Sequence, residues 1–128
     1  MTKPPMGYPL APLVAALPQI QIYHWQTRSY SEHVALGGLY DELSDLVDKF
    51  IETYASGSDR QPLKFPTALP LLPYSSVESA PELLRGLIEY ISTGDLNNVV
   101  VGTNTDLANI ADDMVGVLNR TLYRLTLK

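Results

Sequence analysis

His24 and His33 are the only histidines of a chain that contains no cysteine, so any metal it holds must be bound by imidazole and carboxylate. From His33 onward, Gly37, Asp41, Asp45, Asp48 and Glu52 advance in steps of four, four, four, three and four residues, which lays them along one face of a helix. Asp48 and Glu52 stand one turn, about 6 Å, apart, and as hard oxygen ligands they can hold one cation between them. An imidazole would complete a site suited to iron, manganese or zinc. His33 and Asp48 are fifteen residues apart, about 22 Å along a helix, too far to share a metal within one chain. A second chain is required. If this helix packs antiparallel against its copy about a two-fold axis, the His33 end of one subunit lies over the Asp48 and Glu52 end of the other, and the dimer acquires two identical sites.

The elements that would position these residues follow from apolar spacing and breakers. Leu10, Leu13, Val14, Leu17, Ile20, Gln21, His24 and Arg28 recur at helical intervals, which predicts a first helix over about 10–28, kinked at Pro18 or starting late because of it. Ser29-Tyr30-Ser31-Glu32 reads as a capping box that opens a second helix almost where the first stops. The turn of this hairpin centres near residue 28.5, so each histidine lies 4.5 residues from it and the two imidazoles are level, with His24 on the core-facing stripe. Leu36, Leu39, Leu43, Leu46, Val47, Phe50 and Tyr54 form the apolar stripe of the second helix, which runs to Ser56 and meets Gly57 as a left-handed terminator. Residues 58–78 contain Pro62, Pro66, Pro70 and Pro73 and cannot be helical. As extended chain these 21 residues reach about 65 Å, more than the roughly 40 Å that the 27 residues of the second helix rise. A linker of that length argues that the third helix starts at the opposite end of the bundle, the crossover of ferritin-like folds. Ser79-Ala80-Pro81-Glu82 reads as a second capping box before Leu83, Leu84, Leu87, Ile88 and Ile91, and Gly94 closes that helix. Asp95 to Thr103 is a turn carrying the run Val99-Val100-Val101, and Leu107, Ile110, Ala111, Met114, Val117, Leu118, Leu122 and Leu125 mark a fourth helix. The fold class is all-α: a four-helix bundle with a long Pro-rich crossover between its second and third helices.

His24-Trp25, then His33, then Asp48-Lys49-Phe50-Ile51-Glu52 resemble the motif of Dps, the starvation-induced mini-ferritins. The resemblance is close over 24–52 and looser over the helix order and crossover. It implies a ferritin-like fold and a homo-oligomer with a two-fold interface through the first two helices. His24 and His33 of one chain would then meet Asp48 and Glu52 of its mate as an iron-binding, ferroxidase-type centre, with Asp41, Asp45 and Trp25 as further candidates. Three features depart from that pattern. The interval between the histidines is shorter, Gly37 stands where the family places an acidic residue one turn after its second histidine, and the Lys-rich N-terminal arm is missing. The chain is also similar to small ferritin-like proteins encoded by bacteriophages, which would place it in the host cytoplasm. The plainer reading of each feature stands beside this. A histidine on an apolar stripe is ordinarily a hydrogen-bonded core residue, and an acidic helix face is ordinarily solvated. Trp25, Tyr23, Tyr30, Tyr40 and Tyr54 read as packing, and Asp106, Asn109, Asp112, Asp113 and Arg120 as solvent or interface. The competing class is a non-catalytic bundle serving as a structural or interaction protein, for example of a phage.

Composition narrows the remaining classes. The 128 residues, 14.1 kDa, fit one domain over 10–128 behind a short arm at 1–9. Charged residues are 18%, below the roughly 25% usual for soluble domains, and apolar residues are 45%, which favours self-association. The apolar run Leu10 to Leu17 is broken by Pro12 and followed by Pro18, too short for a membrane span and poor as a secretory segment, so the chain reads as cytoplasmic. No Glu-x-x-His occurs, which disfavours the intramolecular di-iron site of ordinary ferritins, and Ser-His-Asp, P-loop and dinucleotide signatures are missing. With a formal charge of −5 and a pI near 4.8, a nonspecific grip on phosphate backbones has no electrostatic basis. The protein is therefore expected to leave duplex DNA unretarded in a gel shift at about 150 mM salt, and a clear shift would contradict this.

Overall fold

The described residues form four α-helices: α1 (Ala11–Gln26), α2 (Tyr30–Ala55), α3 (Ser79–Ser92) and α4 (Thr105–Leu125). This computed structural model describes residues 8–57 and 63–127, and no strand occurs among them. Most of the expected N-terminal arm, residues 1–7, and the start of the linker, 58–62, lie outside the described residues.

Local sequence explains most of the boundaries. Pro12 sits in the first turn of α1, where its missing N–H is not needed, and the helix then continues unbroken through Pro18 instead of starting after it. Ser29 caps α2, its Oγ accepting from the Glu32 amide at 3.3 Å. Gly57 follows α2 without a positive φ, so the left-handed terminator expected there is not formed. The second capping box is not formed either. α3 begins one residue earlier, with Glu78 as its N-cap and the first helical bond running from the Glu82 amide to the Glu78 carbonyl at 2.9 Å. Pro81 is thereby still in the first turn. The buried Ser79 hydroxyl instead accepts from the Ser75 and Ser76 amides at 3.0 and 3.1 Å, which folds the end of the linker onto the helix. Between α3 and α4, Leu96–Val101 form a single π-helical turn that buries Leu96, Val100 and Val101, which gives the valine run its role in packing. Gly102 ends that turn at φ 53°, a backbone conformation available to glycine at no steric cost. Asn104 then caps α4, its side chain accepting from the Leu107 amide at 3.0 Å.

α2 packs on α1 and α4, and α3 packs on α4 and more lightly on α1, so α2 and α3 stand at opposite corners and are not neighbours. One continuous core runs through Leu13 and Ile20 of α1, Leu36, Leu39, Leu43 and Phe50 of α2, Leu84 and Ile91 of α3, and Met114 and Leu118 of α4. On α1 the buried face is Leu13, Ala16, Gln19, Ile20 and Tyr23. Leu10, Leu13 and Ile20 of the predicted stripe are buried as expected, while Val14, Leu17, Gln21 and His24 are only half-buried, so the face is rotated toward Ala16, Gln19 and Tyr23. His24 consequently sits on the shoulder facing α2, half-buried, instead of in the centre of the core-facing stripe.

The turned face is where the linker attaches. Pro70 shares a groove with Pro12, Ala15 and Ala16, Leu72 is held at Gln19, and Tyr74 reaches Tyr23 and Gln26, so the chain advances along α1 in the direction of that helix. Gln19 is 4% exposed, yet polar. Its amide donates to the Leu72 carbonyl at 2.7 Å and accepts from the Leu72 amide at 2.6 Å, satisfying both its own polar groups and those of the linker backbone. The Tyr74 amide donates to Gln26 Oε1 at 2.7 Å, and the Tyr23 and Tyr74 rings meet edge to face at 5.7 Å. α3 therefore opens at the end of the bundle where α2 opens and α4 closes.

Gln19→Ala removes both bonds of this clamp and leaves the Leu72 amide and carbonyl to find water. We expect a loss of about 1–3 kcal/mol in urea unfolding, together with loss of hydrogen-exchange protection at the Leu72 amide. An unchanged Leu72 exchange rate would show that the clamp does not hold the linker.

Candidate functional site

The α1 to α2 connection is three residues long, and its backbone bonds set how the two histidines meet. Thr27 is extended, with φ −63° and ψ 147°, and its amide still donates to the Tyr23 carbonyl at 2.9 Å. The Ser29 amide donates to Thr27 Oγ1 at 3.2 Å. Only half of the capping box forms, therefore: the Ser29 amide is already used, and the Glu32 carboxylate does not return to it.

The level placement of the histidines is found. Their rings stack with centroids 3.8 Å apart and planes 13° from parallel. His24 Nδ1 lies 2.6 Å from the His33 carbonyl, and His33 Nδ1 lies 2.8 Å from the His24 carbonyl. A carbonyl can only accept, so each Nδ1 carries the proton and donates. In the neutral ring this fixes the Nδ1–H tautomer and leaves the Nε2 lone pair as the acceptor or ligand. His24 lies in the last turn of α1, where carbonyls lose their intrahelical partners, so the His33 ring also caps a helix end.

Gly37 is part of the same arrangement. A Cβ there would come 2.9 Å from His24 Cε1 and 3.3 Å from His24 Nδ1, so the ring occupies the space that a side chain would need. The glycine in mid-helix is thus matched by a close approach within one chain, against His24. Gly38 faces open space.

The carboxylates are placed differently. Asp41, Asp45, Asp48 and Glu52 are all exposed along α2, and none of them reaches the imidazoles. No group of three or more metal-ligating side chains occurs among the described residues. Trp25 and Tyr30, read from sequence as packing, are 68% and 80% exposed, and Val34, one turn after Tyr30 on α2, is 53% exposed. Tyr23 is buried, and Tyr40 and Tyr54 pack at the edge of the core, as expected. Asp106, Asn109, Asp112, Asp113 and Arg120 are exposed on α4, where Arg120 meets Glu42 at 3.8 Å in a solvated pair of little energetic weight. Burial, and secondarily the nearby Glu82, raises the Tyr23 pKa, while Tyr90 is raised by deeper burial and then by Asp95, its hydroxyl donating to the Pro9 carbonyl. Sequence reasoning missed Gln19 and Tyr90. The signal for Gln19 was a polar residue between apolar positions at helical spacing.

The chain belongs to a family of unknown function, DUF5856, whose model matches residues 24–125 and so spans both histidines and the acidic stripe. It is similar to an uncharacterized 14.6 kDa protein in the mobD-ri intergenic region of Enterobacteria phage T4, with 27% identity over 119 residues, covering 91% of this chain and 84% of that protein. No solved structure matches. No helix among the described residues is long and apolar enough to cross a membrane.

The fit between Gly37 and His24 is testable by sign. Alanine is favoured over glycine within a helix by about 1 kcal/mol, yet Gly37→Ala should destabilise the protein by about 1–3 kcal/mol because it displaces a ring held by a hydrogen bond and a stack. In a His24→Ala background the same substitution should stabilise instead. Denaturant unfolding of the four proteins in this cycle reads the coupling directly, and additive effects would mean that the ring and the glycine are independent.

Proposed function

We propose that this member of the family is a ferritin-like four-helix subunit that binds iron as cargo, or manganese or zinc in its place, between two copies of the chain. His24 and His33 of one chain face Asp48 and Glu52 of the other, with Asp41 and Asp45 on the same acidic stripe, and ferrous oxidation is the activity such a site allows. The observation that carries this reading is the histidine pair. Both rings are locked through Nδ1, which leaves Nε2 of each as the nitrogen free to take a metal. The order of helix neighbours supports the bundle type, because α2 and α3 lie on a diagonal and the linker advances along α1. The exposed Trp25, Tyr30 and Val34 and the open Gly38 support a face between copies.

A second reading rests on the same bonds. The reciprocal clamp alone accounts for both histidines as a hairpin lock, and the phage relative then favours a non-catalytic helical subunit of a phage, working as an assembly or interaction protein.

Metal content of mixed variants separates the two. His33→Ala and Asp48→Ala should each lose bound iron, since each removes one half of every site. Co-expressed, they should recover one intact site in each mixed dimer, read as metal per chain by elemental analysis. Equal metal in the parent and both single variants assigns these residues to the fold and favours the second reading.

A further inference from the structure

The hairpin end of the bundle holds a cavity of about 670 Å³ in which neither histidine takes part. Its walls are apolar and aromatic: Tyr30 from the start of α2, Tyr74 and Val77 from the linker, and Leu125 and Leu127 from the end of α4. Glu32 is the one charged residue among the described residues that line it. Its Oε1 is out of contact with solvent and has no hydrogen-bond partner among the described residues. Buried carboxylate oxygens are ordinarily paired, so Oε1 is the side of this carboxylate left open to a further donor.

The surroundings define what that something is. The Tyr74 phenol beside the carboxylate has its pKa raised, first by burial and then by its hydrogen bond to Glu32, so it keeps its proton, donates to the carboxylate and adds no negative charge. The amide of Glu32 itself is occupied by Ser29 Oγ, which leaves the amino end of α2 one donor fewer for an anion. The opposite end, that of α4, contributes carbonyls. Ser31 Oγ approaches the Leu127 carbonyl at only 3.4 Å, and the carbonyl end of a helix favours positive charge. A carboxylate, tyrosine rings and a carbonyl end around apolar walls are the elements that recognise an ammonium group on an aliphatic stem. An anion is refused by Glu32, and a neutral apolar molecule leaves its oxygen unpaired.

We propose that this cavity binds a primary alkylammonium, held by the Glu32 carboxylate with its stem between Tyr30, Tyr74 and the leucines of α4. The same chemistry is carried by a free diamine and by a lysine side chain of a partner protein. The proposal uses neither histidine, shares Tyr30 with the face proposed between copies, and stands whether or not the chain binds metal.

Amide-resolved NMR titration of the full chain with 1,4-diaminobutane tests it, with Nα-acetyl-lysine amide as the second source, n-butanol as the neutral stem and butyrate as the anion. Saturable shifts at Glu32, Tyr74 and Leu127 are expected with both amines, with n-butanol about tenfold weaker and butyrate without effect. The tighter of the two amines identifies the source. Glu32→Gln keeps the shape of the side chain and should weaken amine binding about tenfold, whereas Glu42→Gln, on an exposed part of α2, should not. Val77→Trp, at a position 73% exposed and so of little consequence for folding, should block the cavity and abolish binding. Equal affinity for n-butanol and the amines, or parental binding by Glu32→Gln or Val77→Trp, overturns the proposal.

Discussion

The exchange of Nδ1–H donors between His24 and His33 is the constraint on which the α1 to α2 hairpin depends. Each ring closes a carbonyl on the other helix, and the 3.8 Å stack holds both rings in one place, so the two helices cannot slide along or roll about each other without breaking both bonds. Gly37 exists within this constraint as the space the His24 ring occupies. With the hairpin register set, α1 has a fixed outer side. That side is where Gln19 and Gln26 take hold of the linker, and the linker in turn delivers α3 to the end of the bundle shared with α4.

How much of this was readable in the sequence differs between levels. Helices and their order were readable because the stripes of α2, α3 and α4 are strongly one-sided, and Leu36, Leu39, Leu43 and Phe50 are buried as their spacing requires. The level placement of the histidines was readable because a short hairpin relates residues by their distance from its centre. The rotation of α1 was not. This helix is apolar around most of its circumference, and it is covered by α2, α3 and the linker on different sides, so apolar spacing alone leaves its inner face open. The two Ser-x-x-Glu patterns show a similar limit. The first caps a helix because Thr27 and Ser29 leave the helical region before it. The second falls one residue inside a helix, since Ser79 is drawn back to the amides of Ser75 and Ser76. The valine run was opaque because a π turn buries residues in a rhythm that neither helix nor strand periodicity follows.

The candidate site was only half readable, for a related reason. Imidazoles and carboxylates are recognisable as chemistry, but residue types do not say whether they meet, and no group of three or more such side chains comes together among the described residues. Within the chain the histidines have a complete structural account, while the acidic stripe has none beyond solvation. Tyr30 and Val34 on α2 and Trp25 on α1 are apolar groups that the single chain leaves exposed.

The clamp between Gln19 and Leu72 also bears on the order in which the molecule folds. It joins residues 53 apart in the chain, whereas the histidines are nine apart. Closing the longer loop costs about 1.6 kcal/mol more in chain entropy, and the clamp can form only on an α1 that already exists to present Gln19 and Gln26. The hairpin is thus the local nucleus, and docking of the linker is a later, longer-range step that brings α3 and α4 into register. A chain interrupted before that step is a two-helix hairpin whose buried faces are uncovered. The side of α1 that waits for the linker is then the surface at which a nascent chain is most exposed to association with the wrong partner.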